Sequence, residues 1–221
     1  MKRTILFMLV SFLFISCGNK QANKPADEAS IAPVQNEKTI TANKKFPLEH
    51  GTIYQQVTAA GFETTPTVYF DKWGDWQTTE STMLMEVMGM KTGSSTINIV
   101  KGDEHWDIDL TDKKGKHYKM STKINDLGVD LNKLTDDIKK QMKIEELGEE
   151  NYLGYKCKKL KIKNDKLKMD MVYLTYGNMM MKMDGKAMGI NTSMKVTKID
   201  TKAPPAQKFR VPEGIKMEEM K

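Results

Sequence analysis

Two strands and a turn are legible in Ser95-Thr96-Ile97-Asn98-Ile99-Val100-Lys101-Gly102-Asp103-Glu104-His105-Trp106-Asp107-Ile108-Asp109-Leu110. Trp106, Ile108 and Leu110 alternate with Asp107 and Asp109, which is the period-two signature of a half-buried strand. Lys101-Gly102-Asp103-Glu104 is the turn that pairs this run with Ser95–Val100. The same grammar extends in both directions. Gly51–Thr58 predicts a strand with Ile53, Gln55 and Val57 on one face. Thr65–Phe70 predicts a second, returned by Asp71-Lys72-Trp73-Gly74 into Asp75–Thr79. Met83–Met90 follows, and Lys113-Lys114-Gly115-Lys116 predicts a turn before Tyr118–Ser121. Further on, Tyr155–Lys163, Lys166–Tyr176, Asn178–Met183 and Asn191–Asp200 predict strands. In Lys166–Tyr176, Leu167, Met169, Met171 and Tyr173 share a face, opposite Lys168, Asp170, Val172 and Leu174.

One stretch has a different period. Leu127, Leu131, Leu134, Ile138 and Met142 are spaced to lie on one face of a helix. Asp130 suits an N-cap, and Lys139, Lys140 and Lys143 suit the negative end of the helix dipole. Short strands at regular spacing with one amphipathic helix give a mainly β (α+β) fold. The strand spacing indicates an antiparallel sheet or a partial barrel, with a helix near 130–143.

The N-terminus carries a different message. Met1-Lys2-Arg3 is basic, and Ile5–Ile15 is apolar apart from Ser11. That run suits a signal peptide and is shorter than the ~20 residues a membrane-spanning helix needs. It ends Phe14-Ile15-Ser16-Cys17-Gly18, which resembles a lipobox with Phe14 where leucine is usual. Residues 1–16 are therefore expected to be a lipoprotein signal peptide and Cys17 the lipidated residue. Several acyl chains on one cysteine anchor stably, since each buried methylene contributes about 0.8 kcal/mol. Residues 17–45 read as a lipidated cysteine and a disordered tether. Asn19–Lys24 has no acidic cluster of the kind that sends some lipoproteins to the cell surface. Gly18 stands where an aspartate would mark inner-membrane retention. The expected location is the outer membrane, on its periplasmic face.

The precursor carries a net charge of +6 from 35 basic and 29 acidic residues. This mild excess is spread along the chain and does not point to nucleic acid. With Cys17 consumed by lipid, Cys157 is left alone, and its strand-like setting predicts an inert, inward-facing thiol. Lys156, Lys158, Lys159, Lys161 and Lys163 read as the solvated face of a strand, with anionic headgroups as the alternative partner.

Pro47-Leu48-Glu49-His50-Gly51-Thr52-Ile53, Val68-Tyr69-Phe70-Asp71, Gly154-Tyr155-Lys156-Cys157 and Phe209-Arg210-Val211-Pro212-Glu213-Gly214 stand in a telling order. Together they resemble an uncharacterised family of Bacteroidota envelope proteins related to the LolA/LolB lipoprotein carriers. The resemblance covers roughly residues 46–216, and residues 46–221 are expected to form one half-barrel domain. It implies an antiparallel sheet curled into an incomplete barrel, with the helix near 130–143 covering its open, apolar side, and a carrier-like binding role.

Candidate chemistry centres on methionine, 18 in 221 residues. Met83, Met85, Met88 and Met90 form one group; Met179, Met180, Met181, Met183 and Met188 form another. Methionine adapts to irregular apolar surfaces and varied partners. The candidate ligand-binding set is Met83, Met85, Trp106, Ile108, Leu131, Leu134, Ile138, Met169, Met171 and Tyr173. Its ligand would be a lipid or an acylated protein. The alternatives are a filled, structural core and copper held by thioethers. His50, His105 and His117 fall in no catalytic motif, and His105-Trp106-Asp107, on a strand whose neighbours point to opposite faces, is no ready-made dyad. The sequence predicts no catalysis, no cofactor and no resident metal.

Overall fold

The computed structural model describes residues 44–87, 90–120, 139–140, 143–165 and 168–220, with the side chains of residues 84–92 outside that description. The strands are β1 (Gly51–Ala59), β2 (Phe62–Thr64), β3 (Thr67–Asp71), β4 (Trp76–Val87), β5 (Met90–Lys101), β6 (Glu104–Asp109), β7 (Lys114–Lys119), β8 (Ile144–Tyr152), β9 (Tyr155–Asn164), β10 (Met169–Tyr176), β11 (Met179–Ala187), β12 (Ile190–Asp200) and β13 (Lys216–Glu219). They form one large curled sheet in the order β13-β7-β6-β5-β4-β2-β1-β12-β11-β10-β9-β8, with β3 bridging β1 and β4. Pairing is antiparallel except where β13 runs parallel to β7. Among the described residues β8 and β13 remain as separate edges and the sheet does not close into a barrel.

The mainly β expectation holds. The covering helix expected near 130–143 lies outside the described residues, save for Lys139 and Lys140, which are helical. Several boundaries move. The expected strands Asp75–Thr79, Met83–Met90 and Ser95–Val100 are two twelve-residue strands, β4 and β5, paired from Trp76↔Lys101 to Val87↔Met90. The alternation fades over Glu80-Ser81-Thr82, but the β-branched threonines there favour extended backbone. Thr82 and Ser95 hydroxyls meet across the ladder at 3.1 Å. The expected turn at Lys113–Lys116 is displaced to the residues before Lys114. There the Asp109 carboxylate accepts from the N–H groups of Thr111 and Asp112 at 2.8 and 3.1 Å. Gly115 instead lies within β7, where a Cβ would stand 2.6 Å from Met217 Sδ.

The sheet carries apolar clusters on both faces. Paired residues of a ladder share a face and sequence neighbours oppose. Ile53 opposite Val68, and Phe70 opposite Gly51, define what we call the inner face. The larger core cluster is Phe46, Ile53, Val57, Val68, Phe70, Cys157, Met171, Leu174, Met179, Met181, Met183, Met194 and Val196. The N-terminal segment docks here. Phe46 meets Phe70 edge-on at 5.1 Å and lies over Gly74, whose Cβ would stand 2.8 Å from the Phe46 ring. Gly74 also sits at φ +81°, a conformation that glycine adopts without strain. On the opposite face Ile97, Ile99 and Ile108 form a second cluster, covered by Val211, Ile215 and Met217 from the C-terminal segment.

Phe70 is fully buried and Phe62 is 42% exposed. Phe70→Ala is expected to cost about 3–5 kcal/mol in urea unfolding, and Phe62→Ala less than about 0.5 kcal/mol. Equal costs would contradict this burial pattern.

Candidate functional site

A single row of side chains crosses the inner face. Met83 lies opposite Thr64, and Thr64 opposite Val57. Val57 pairs with Met194, Met194 with Met183, Met183 with Tyr173, and Tyr173 with Leu160. Seven strands contribute one residue each, and Thr64 is the polar member that interrupts an otherwise apolar row. At about 4.8 Å between strands the row is about 29 Å along the curve of the sheet. A second row sets Met171 between Gly185 and Ile162, and Ile162 opposite Ile144. Gly185 is fixed by sterics, since a Cβ there would stand 2.2 Å from the Asp170 carbonyl oxygen and 2.9 Å from Met171 Cα. A bulge between Leu174 and Thr175 leaves Met181 as the extra residue of β11. All three of Met179, Met181 and Met183 are buried.

These residues are packed, not open. Met171, Met183, Met194 and Leu160 keep 1%, 2%, 3% and 3% of their surface. Tyr173 and Met169 are half-buried, with the Tyr173 hydroxyl 4.0 Å from Met169 Sδ. Burial pushes the Tyr173 phenol pKa up. The methionines spread over β10, β11 and β12 as a wall. Among the described residues no three of His, Cys, Asp and Glu converge to hold a metal ion.

The structure divides the set expected from sequence. Met83, Met169, Met171 and Tyr173 share the inner face, Met83 on β4 and the other three on β10, with β2, β1, β12 and β11 between them. Trp106 and Ile108 do not join them. Trp106 is opposite Ile99, Ile99 opposite Thr78, Thr78 opposite Tyr69, and Tyr69 opposite Thr52. Thr52 neighbours Ile53 in sequence, so Trp106 and Ile108 lie on the far side of the sheet. Met85 is on β4, its side chain outside the described part. Cys17, Leu131, Leu134 and Ile138 also lie outside the described residues. Sequence reasoning left Val57 and Leu160 out of the candidate set; both are explained by register, which a single strand's pattern does not reveal.

Cys157 is fully buried, and burial raises its thiol pKa, as an inert inward residue requires. The lysine run on β9 meets acids: Lys156–Glu149 at 2.8 Å, Lys159–Glu150 at 3.1 Å and Lys161–Asp170 at 3.5 Å. The two glutamates belong to β8, an acidic edge strand not expected from sequence because it buries almost nothing. His105 and Trp106 face opposite ways, His105 stacked on Tyr118 at 5.4 Å and Trp106 on His117 at 4.7 Å.

Residues 50–177 match a family described as a domain of unknown function (DUF4412), and the chain belongs to that family. The fold is shared with an uncharacterized conserved protein from Thermus thermophilus, at 11% identity and a TM-score of 0.51, covering 79% of this chain and 92% of that one. Similar solved structures include a putative outer membrane lipoprotein-sorting protein domain from Vibrio parahaemolyticus (9% identity, TM-score 0.32, 75% and 91% covered). A LolA superfamily protein from Nitrosomonas europaea is a further one (10% identity, TM-score 0.24, 75% and 92% covered). No curated protein matches the chain.

β13 is held by His117, which sets Nδ1 2.6 Å from Glu219 and Nε2 2.6 Å from Glu104. Lys119 takes the other Glu104 oxygen at 2.7 Å. Desolvation disfavours the His117 charge, but the hydrogen bonds to Glu219 and Glu104 outweigh it and raise the pKa. A raised folded pKa gives stabilisation that is complete below the unfolded value of about 6.5 and lost as pH rises through the folded value. Hydrogen-exchange protection of Met217–Glu219 is therefore expected to be higher at pH 6 than at pH 9, and Glu219→Gln to flatten the difference. Equal protection at both values would contradict the bridge.

Proposed function

We propose that this domain binds an apolar ligand, a lipid or an acylated protein, without catalysis, and does so from the membrane-anchored position that the N-terminal sequence predicts. The observation that carries the reading is the methionine-rich row on the inner face. An enzyme needs convergent polar groups; this face offers flexible, polarizable, apolar ones. Met83, Met169, Met171 and Tyr173 form its floor, with Val57, Met183, Met194 and Leu160 beside them. Leu131, Leu134 and Ile138, on the helical face that the sequence predicts, supply the opposing wall, and Met85 extends the floor along β4. Cys17 carries the lipid that holds the chain to the periplasmic face of the outer membrane.

The near-complete burial of Met171, Met183 and Met194 favours a second reading, a structural envelope lipoprotein whose core is filled by its own side chains. The two differ in one respect. A ligand site exchanges contacts among its own side chains for contacts with the ligand; a filled core has nothing to exchange.

Native mass spectrometry of residues 44–221, purified without detergent and followed by lipid extraction, separates them. Co-purified phospholipid or fatty acid, lost on Leu134→Asp while the protein stays folded, is the expected result. A clean apo mass that added lipid does not change would leave the structural role.

A further inference from the structure

A second site lies on the opposite face of the sheet from the methionine row. An open cleft of about 220 Å³ is lined by Ile99, Lys101, Trp106, Phe209, Arg210 and Val211. Ile99 and Trp106 are cross-strand partners on β5 and β6 and make one wall. Phe209 and Val211 make the other, from the segment that precedes β13. Lys208 seats that segment, with its ammonium 2.7 Å from Glu80 and 4.4 Å from the Tyr69 ring centre. Phe209 is thereby buried beside Trp76, 6.0 Å between ring centres, while Arg210 stays exposed at the rim.

The rim gathers positive charge. The Lys101 ammonium lies 4.8 Å from the Trp76 ring centre and 5.6 Å from that of Trp106. Lys72 also sits over Trp76, at 3.6 Å from its ring centre. Desolvation lowers the Lys101 pKa, and Arg210 and Lys72 lower it further. Among the described residues no carboxylate forms an ion pair with Lys72, Lys101 or Arg210. The nearby acids are engaged elsewhere: Asp75 with Lys45, Glu80 with Lys208, and Glu104 with His117 and Lys119. Asp71 accepts from the Lys72 backbone N–H. Aromatic faces offset only part of the repulsion among three cations. An anion at the rim removes it, and the apolar walls behind the rim require that the anion carry an apolar body.

We propose that this cleft binds a small amphiphilic carboxylate, its head between Lys101 and Arg210 and its short apolar body against Ile99, Trp106, Phe209 and Val211. The volume lies below the ~300–1,000 Å³ of sites that enclose larger ligands, which limits the body to a short chain or a single ring. The site shares no residue with the methionine row and stands or falls apart from it.

Tryptophan fluorescence of the purified full chain, titrated with octanoate at low ionic strength, tests this, because Trp106 is part of the wall. A saturable change is expected. Lys101→Gln and Arg210→Gln should each weaken octanoate about tenfold, as loss of a charge-assisted contact does. Acetate and 1-octanol, which lack the body or the charge, should bind at least about tenfold more weakly. Both substituted residues lie at the rim, and unchanged urea midpoints will show that the variants fold. No saturable response to octanoate would overturn the proposal. So would octanoate affinity unchanged in the double variant, which would place the ligand elsewhere. A response to phosphatidylglycerol vesicles without one to octanoate would also overturn it, in favour of an anionic membrane surface.

Discussion

Alternation along an antiparallel ladder is the constraint on which this molecule rests. Each strand sends successive side chains to opposite faces, and each ladder keeps paired residues on one face. A shift of one residue in the pairing of β1 with β3 would carry Ile53 and Val57 to the side of Thr52 and Tyr54, and the inner core with them. Register therefore decides what meets what across strands distant in sequence. Met83 and Leu160 are joined by it through five intervening residues, although neither strand alone says so.

The two ends of the domain use this constraint in complementary ways. The segment before β1 closes over the inner face through Phe46, which fits because Gly74 leaves space and because Phe70 offers an edge-on partner. The segment after β12 closes over the other face through Phe209, Val211, Ile215 and Met217, which fits because Gly115 leaves room for Met217. In each case a glycine, Gly74 in the turn between β3 and β4 and Gly115 on β7, marks where another part of the chain approaches. The inner face gains an apolar surface interrupted at Thr64. The outer face gains an apolar cleft with a cationic rim, because the covering segment brings Arg210 to the strand end that carries Lys101.

How much of this the sequence discloses depends on what each element buries. β6 and β12, half-buried with clear alternation, are legible almost to the residue. β4 and β5 are legible in parts, since threonines and serines carry the strand where apolar residues lapse. β8 is invisible to hydrophobic pattern because charge holds it at the edge, glutamate against the lysines of β9. β13 is four residues long and is held by Met217 and the His117 bridge, contacts that no local pattern encodes. The candidate site is legible in residue type and not in sidedness. Methionine enrichment singles out Met83, Met169 and Met171, and register sets all three on the inner face. Trp106 and Ile108 belong to the other face, and four ladders intervene between them and β1, so sidedness must be counted through each.

The separation of two apolar surfaces by one sheet is the claim that most needs a direct test. The most direct is a nuclear Overhauser spectrum of the domain with methyl-labelled methionine, isoleucine and valine. The account predicts cross-peaks from the Met183 methyl to Met194 and from Met194 to Val57, cross-peaks from Ile99 to Trp106 and Val211, and none between the two sets. A cross-peak from Met183 or Met194 to Ile99 or Trp106 would contradict it, for it would put the methionines and the tryptophan on the same side of the sheet.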